Sequence, residues 1–193
     1  MASIGEHLDN MVVTVASPDQ RIQARVSNYH DIEITFAPGA FDRYDEEHLS
    51  HQLGRLGVTT WVAYHRARSE AYRLSQGLSS DELAAAERPT DDPHRRRYEE
   101  ELNNIEGEGV SPGGAVRIRT WGLMQWNVDV QPGSIQRLGE AAFLGELHSA
   151  MKSLLSDREM KIITLKSEYF DIGIPRQWRD LMTELRARNR HRR

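Results

Sequence analysis

Apolar and polar residues alternate in several short segments of the chain, and this pattern predicts β-strands. In residues 21–26 every second residue is apolar, and residues 32–36 show the same alternation. A period of two places the apolar side chains on one face of a strand. The polar residues 27–31 between these segments predict a turn, so we expect a hairpin. Residues 12–16 are predicted to add a third antiparallel strand before it.

The chain also resembles itself, which predicts an internal duplication. Residues 17–57 align without a gap with residues 111–151, at an offset of 94 positions, so that Ser17-Pro18 falls on Ser111-Pro112. The alternating apolar positions coincide in both strands of the hairpin. The second copy is therefore predicted to have strands at 107–110, 115–120 and 126–131.

A long amphipathic helix is expected after each hairpin. The first begins at residues 45–47, whose acidic side chains favour the N-terminal end of a helix, and its apolar residues recur at three-and-four spacing. Residues 139–155 form the equivalent stretch of the second copy. Three strands need a helix to cover their apolar face. Because each helix is longer than its sheet, we expect its far end to pack against another part of the chain.

These elements predict an α+β fold class and four segments along the chain. We expect a first half at 1–77, a linker at 78–92, a second half at 93–172, and a C-terminal helix with an arginine-rich tail at 173–193. The linker contains a serine and a glutamate at capping-box spacing, Ser79 and Glu82, which predicts a short helix.

Composition narrows the possible classes of protein. The chain has 193 residues, 38% hydrophobic and 28% charged, with a net charge of -4, which is typical of a globular protein with its own core. The absence of cysteine excludes disulfide scaffolds, thiolate metal sites and cysteine nucleophiles. No apolar run approaches the roughly 20 residues of a membrane span. The N-terminus lacks the basic-then-apolar pattern of a signal peptide. We therefore expect a cytoplasmic protein with no membrane partner.

The order of short helix, three antiparallel strands and long helix resembles the YbaB/EbfC family of small bacterial nucleoid-associated proteins. The matching stretches are 13–19, 21–26, 32–38 and 45–72, then 108–114, 115–120, 126–132 and 139–155 in the second copy. Members of that family are homodimers. The resemblance therefore implies two YbaB-like repeats that form an intrachain pseudo-dimer, an actinobacterial origin and DNA binding. The turns and strands also resemble acidic relatives encoded in mycobacterial type VII secretion loci.

Arginine residues form the candidate nucleic-acid-binding surface. Residues 176–193 hold seven arginines and two acidic residues, so this segment carries +5 and the remainder of the chain carries -9. Such a segment suits sequence-independent contacts to phosphate, and the alternative is a solvated terminus that keeps the protein in solution. The candidate residues are Arg117, Arg119, Arg186, Arg188, Arg190, Arg192 and Arg193.

Two of these arginines, Arg117 and Arg119, are predicted to alternate on the outward face of one strand, and Arg21 and Arg25 do so on the equivalent strand of the first copy. In a pseudo-dimer such residues would form a basic strip along a duplex backbone. Glu33 and Asp129 occupy the outward faces of neighbouring strands. We expect cross-strand ion pairs with these acids to neutralise the strip.

The other candidate residues are aromatic or histidine side chains. Trp121 and Trp178 are candidates for a protein-binding surface, whereas Trp126 is predicted to face the core. His48 and His51 have a spacing close to that of metal ligands, but the sequence places no third ligand near them. We therefore predict no metal site, no cofactor and no catalytic residue.

Two functions follow as hypotheses. The first is a non-enzymatic cytoplasmic protein that binds double-stranded DNA and would then be located in the nucleoid. The alternative is an acidic adaptor or chaperone-like protein that binds another protein, in the context of type VII secretion. Association into homo-oligomers through the long helices is compatible with either function.

Overall fold

Two three-stranded antiparallel sheets, each followed by a long helix, make up the α+β architecture. The computed structural model describes residues 4–27, 31–86, 88 and 91–170. The predicted C-terminal helix and tail at 173–193 lie outside the described residues. The elements are α1 (Ile4–Asp9), β1 (Val13–Ala16), β2 (Ile22–Ser27), β3 (Asp31–Phe36), a 3-10 turn (Phe41–Arg43), α2 (Glu46–Gln76), α3 (Ser80–Ala86), α4 (Pro93–Asn103), β4 (Glu106–Val110), β5 (Val116–Trp121), β6 (Gln125–Val130) and α5 (Ser134–Tyr169).

The two sheets have the same topology and repeat along the chain as the sequence predicted. Their strand orders are β1-β2-β3 and β4-β5-β6. In the first sheet Ala24 lies opposite Ile34, and in the second Ile118 lies opposite Val128. Strands β2 and β5 begin and end 94 positions apart, and so do β3 and β6. The two predicted sheet-and-helix units are therefore present.

A buried serine fixes the start of the central strand in each sheet. The Ser17 hydroxyl accepts a hydrogen bond from the Ile22 amide at 3.0 Å, and the Ser111 hydroxyl accepts one from the Val116 amide at 3.0 Å. Both serines are buried. The repeated Ser-Pro turns thus perform the same local task in the two halves.

The helix boundaries follow from capping groups. The Asp45 side chain accepts a hydrogen bond from the His48 amide at 2.7 Å and caps α2, which ends at Gly77 in the left-handed conformation. In α5 the backbone of Gly139 is non-helical, with φ 70° and ψ 171°. The helix predicted from residue 139 is therefore the straight part of α5, which extends beyond residue 155 to Tyr169. In the linker, Ser79 and Glu82 form the predicted capping box before α3.

The two halves share one core. Helix α2 packs on β1 and β2 of its own sheet and on β6 of the other sheet, while α5 packs on β4 and β5 and reaches β3. The rings of Phe41 and Phe143, one from each half, lie 5.2 Å apart, and both are fully buried. Each half therefore covers apolar surface of the other, as the excess length of the helices predicted.

The far part of α5 is held against β4 by two features. Gly109 leaves no room for a Cβ, which would overlap the backbone of Ala150 and Leu154. Further along, the buried Arg158 donates a hydrogen bond to the Ile105 carbonyl at 3.1 Å, and burial lowers the pKa of its guanidinium. The glycines that weaken β4 as a strand thus permit its close contact with α5.

Candidate functional site

An apolar cleft of about 210 Å³ lies between the two halves. Strands β2, β3, β5 and β6 and helices α2 and α5 all contribute to its wall, and Ile32, Trp61, Trp126 and Met151 are among the lining residues. We refer to it as the central cleft. It is open to solvent, because Trp61, Trp126 and Met151 are only partly buried.

A second opening, which we call the β3 groove, adjoins the central cleft. It lies between β3 and α5, has a volume of about 240 Å³ and shares Ile32, Ile34, Leu147 and Met151 with the central cleft. Glu33, Leu144 and His148 complete its lining. Together the two openings expose one side of the interface between the halves.

The corresponding contact, between α2 and β6, is closed because α2 has small residues there. The Ser50 hydroxyl of α2 accepts a hydrogen bond from the Val130 amide at 3.0 Å. A Cβ on Gly54 would lie 3.3 Å from the Trp126 carbonyl oxygen, and one on Gly57 would lie 2.6 Å from the indole ring of Trp126. Small side chains at these three positions let α2 lie directly against the edge of β6.

Bulky residues occupy the equivalent positions of α5. At the offset of 94, the counterparts of Ser50, Gly54 and Gly57 are Leu144, His148 and Met151. Their side chains stand between α5 and β3, and α5 meets β3 much less extensively than α2 meets β6. The difference in side-chain volume explains why a groove opens between α5 and β3 but not between α2 and β6.

The described residues leave an edge of β3 uncovered at the groove. The Ala37 amide donates to the Arg21 carbonyl at 2.8 Å, which fixes the alternation of the β2–β3 ladder. In an antiparallel ladder, alternate residues direct their backbone groups to opposite edges. The amide and carbonyl of Ile34 therefore point away from β2, and neither has a hydrogen-bond partner among the described residues.

The arginines of β5 lie beside acidic residues. The Arg117 guanidinium lies 3.8 Å from the Glu108 carboxylate, and the register places Arg117 opposite Asp129 and Arg119 opposite Glu108. On the first sheet Arg25 lies 3.9 Å from Glu33. The expected pairing is confirmed for Glu33, which pairs with Arg25, whereas Arg117 pairs with Glu108 of β4 and not with Asp129. Arg119 Nε is buried with no hydrogen-bond partner among the described residues.

The structure locates only part of the predicted site set. Trp121 ends β5 and is 41% exposed, but it does not line the central cleft. Trp126, predicted to face the core, is partly buried and forms a wall of the cleft, because its sheet edge abuts α2. The candidates Trp178, Arg186, Arg188, Arg190, Arg192 and Arg193 lie outside the described residues.

A polar cluster at the first Ser-Pro turn involves Asp19. Its carboxylate accepts hydrogen bonds from the Ser17 and Tyr44 hydroxyls, both at 2.6 Å, and His48 Nε2 lies 3.9 Å away. Burial alone would raise the pKa of Asp19, but the hydrogen bonds from Ser17 and Tyr44 outweigh it and lower the pKa. Burial and the bond to Asp19 raise the pKa of Tyr44.

This cluster joins a turn to a helix, and its backbone contact recurs in the second half. The Gln52 side chain of α2 accepts a hydrogen bond from the Asp19 amide at 3.3 Å. Ninety-four positions later, the Glu146 side chain of α5 accepts one from the Gly113 amide at 2.9 Å. A contact repeated with different side chains indicates a structural role.

Metal sites and membrane spans are both missing from the described part of the chain. Within it, no three or more histidine, aspartate or glutamate side chains are grouped so that they could hold a metal ion, so His48 and His51 gain no third ligand there. No helix in the same ranges combines the length and the apolar character needed to cross a bilayer.

The central cleft and the β3 groove were not predicted. Their signal was present in the aligned repeat as the contrast of small residues in α2 with bulky residues in α5. That contrast becomes informative only when both helices are known to face an edge strand of the opposite sheet. Comparison of the chain with models of protein families, with curated proteins and with solved structures finds no match.

Proposed function

We propose that this chain is a non-enzymatic adaptor that binds another protein, and that apolar side chains of the partner enter the central cleft. The main observation that supports this proposal is the cleft itself, an apolar cavity of about 210 Å³ lined by residues of both halves. Concave apolar surfaces open to water favour binding, because each square ångström removed from water contributes about 25 cal/mol.

The aromatic side chains of the cleft support a protein partner. Trp61 stacks on Tyr64 with ring centroids 5.9 Å apart, and Trp126 donates its indole N–H to the Leu123 carbonyl at 2.7 Å. With that N–H satisfied, the Trp126 ring presents mainly hydrocarbon to the cleft. Tryptophan and tyrosine are enriched among residues that dominate protein interfaces.

The chemistry of the lining favours binding over catalysis. Of the residues that line the central cleft, Thr60 carries a hydroxyl that already donates to the Leu56 carbonyl at 2.7 Å. Among the described residues, Glu33 and His148 border the adjoining β3 groove and are absent from the lining of the central cleft. An acid–base pair at the centre of the cleft would need several titratable groups that converge there. Tyr64 is the titratable residue of the described lining, and apart from Tyr64 and Thr60 the lining residues are apolar.

Binding to an array of immobilised heptapeptides tests this function. We expect the protein to be retained on aliphatic and aromatic peptides and not on polar ones. A Met151→Trp variant, which fills the cleft, should lose this binding. Met160→Trp is the matched control, because Met160 is 55% exposed on the same helix and does not line either opening. Equal binding by both variants, or no preference for apolar peptides, would overturn the proposal.

A second candidate function is binding to double-stranded DNA, and the segregation of charge favours it. The +5 of residues 176–193 contrasts with -9 in the remainder of the chain. Kinship with the YbaB/EbfC family, which we also propose, is supported by the two sheet-and-helix units. The paired arginines of the sheets contribute little to a phosphate-binding surface, so this function depends on the tail.

Electrophoretic retention of a DNA duplex tests the second candidate. Binding through the tail should weaken steeply as salt rises, and it should fall strongly when residues 186–193 are removed. Replacing Arg117 and Arg119 by glutamine should have a smaller effect. Absence of retention at low salt with the intact chain would exclude nucleic acid as the partner.

A further inference from the structure

We infer that the uncovered edge of β3 binds its partner as an added β-strand, an extended segment in which aliphatic residues alternate with lysine or arginine. This inference rests on the proposed function, since it specifies how a protein partner enters the β3 groove. Strand addition to an exposed sheet edge draws affinity from main-chain hydrogen bonds and specificity from alternate side chains.

The backbone of β3 provides the hydrogen-bonding groups for such a strand. Ile32 and Ile34 alternate with the residues that bond to β2, so their amides and carbonyls face the groove. In β6 of the other half, Val130 belongs to the same outward-facing set, and its amide is satisfied by Ser50 of α2. Among the described residues, no side chain of α5 takes this role at Phe36, the counterpart of Val130, or at Ile34. The partner supplies to β3 the kind of contact that Ser50 supplies to the second sheet.

The groove fits the aliphatic face of an added strand. Ile32 and Ile34 are half-buried and turn their side chains into the groove, where Leu144 and Met151 form the opposite wall. In an antiparallel pair, residues directly opposite one another place their side chains on the same face of the sheet. Aliphatic residues opposite Ile32 and Ile34 would thus enter the groove.

The other face of β3 defines the charge of the partner. Asp31 and Glu33 are exposed on this face, and Glu33 is 3.9 Å from Arg25 of β2. Opposite charges across strands stabilise a sheet, and like charges destabilise it. The Glu33 side chain stays 65% exposed beside Arg25, so a basic residue of an added strand can also approach its carboxylate and complement it. A second copy of the chain paired through the same edge would place acids near acids, which disfavours a homodimer at β3.

Labelled heptapeptides test the mode of binding by fluorescence anisotropy. The probe is Lys-Val-Lys-Ile-Lys-Val-Lys. It should bind more tightly than two control peptides, one in which the lysines and the aliphatic residues are grouped in separate blocks and one in which glutamate replaces each lysine. N-methylation of the backbone amides of the valine and isoleucine residues removes the donors that face β3 in an antiparallel strand. N-methylation of the lysine amides leaves those donors intact. The first change should weaken binding by about tenfold or more, equivalent to one or two hydrogen bonds, and the second should not.

An Ile34→Pro variant tests the same edge from the protein side. Proline removes an amide that does not bond to β2, so the sheet should persist. Ile34→Val, which keeps the amide, is the control, and thermal unfolding monitors the fold of both. If the proline variant folds and binds the alternating peptide as tightly as the valine variant does, strand addition is wrong.

The outcomes separate the inference from the proposed function. Strand addition is overturned if the peptide methylated at its aliphatic residues and the peptide methylated at its lysines bind equally. The proposed function still stands in that case if apolar peptides bind the wild type and not the Met151→Trp variant. If neither the alternating peptide nor any apolar peptide of the array binds, both proposals fail. Strand addition is supported if methylation of the aliphatic residues alone weakens binding and the Ile34→Pro variant also binds the alternating peptide more weakly.

Discussion

The indole ring of Trp126 lies so close to Gly57 that a Cβ at position 57 would stand 2.6 Å from two of its atoms. This contact joins α2 of the first half to β6 of the second. The ring cannot move away without cost, because its N–H is bound to the Leu123 carbonyl. The pair therefore holds the halves together on one side, while the opposite side stays open as the β3 groove.

Replacing Gly57 by alanine should destabilise the protein through overpacking. We expect the free energy of unfolding, measured by urea denaturation, to fall by about 1–3 kcal/mol. Gly145→Ala is the matched control, since a Cβ at that helical position of α5 meets nothing within 4 Å. It should be neutral or stabilising by up to about 1 kcal/mol. If Gly57→Ala behaves like Gly145→Ala, the proposed close interlock of α2 and β6 is incorrect.

Equivalent leucines of the two long helices should be equally sensitive to charge. Leu53 and Leu147 are 5% and 2% exposed and lie in the shared core. A carboxylate at either position would be buried without a partner, so Leu53→Asp and Leu147→Asp should each unfold or aggregate the chain. Leu74→Asp, at a 48% exposed position of α2, should melt like the wild type. Circular dichroism on heating provides the comparison, and unchanged melting of either core variant would contradict a shared core.

The Asp19 cluster predicts a specific dependence of stability on pH. Hydrogen bonds hold the pKa of Asp19 in the folded protein below its ordinary value of 3.8. A lowered pKa in the folded state stabilises the protein above the unfolded value, and this contribution is lost as pH falls through the folded value. The wild type should therefore exceed Asp19→Asn in stability at pH 7.

Urea denaturation between pH 7 and pH 2 measures this difference. The gap between the wild type and Asp19→Asn should narrow as the pH falls below about 3.8. Tyr44→Phe removes one of the donors to the carboxylate and should reduce the same gap in part. A gap that does not change with pH would mean that the carboxylate gains nothing from its hydrogen bonds.

Much of the fold was predictable because its determinants are local. Alternation identified β2 and β3, acidic residues identified the start of α2, and a constant offset transferred these assignments to the second half. The helical segment before Gly139 was missed, and the non-helical backbone of Gly139 separates it by a kink from the helix predicted to begin at residue 139. Local patterns did not show that a short helical segment precedes this glycine.

The candidate site was less predictable because it depends on contacts between distant segments. The volume of Met151 matters only because α5 faces β3, which is more than 100 residues away in the chain. The effect of the arginines also depends on their neighbours in the fold. Arg117 is basic in the sequence, but Asp129 lies opposite it on β6, and the Glu108 carboxylate of β4 lies 3.8 Å from its guanidinium. Charge neutralisation of this kind was foreseen from alternation, whereas the cleft required knowledge of how the halves meet.

Hydrogen exchange of the full chain, with and without the alternating heptapeptide, tests the central claim most directly. If the open side of the interface is the binding site, amide protection should increase in β3 and in residues 144–155 of α5. The Ser50–Val130 contact between α2 and β6, which lines neither opening, should change little. Protection confined to other regions, or no change at saturating peptide, would contradict the assignment of the cleft and groove as the site where a partner binds.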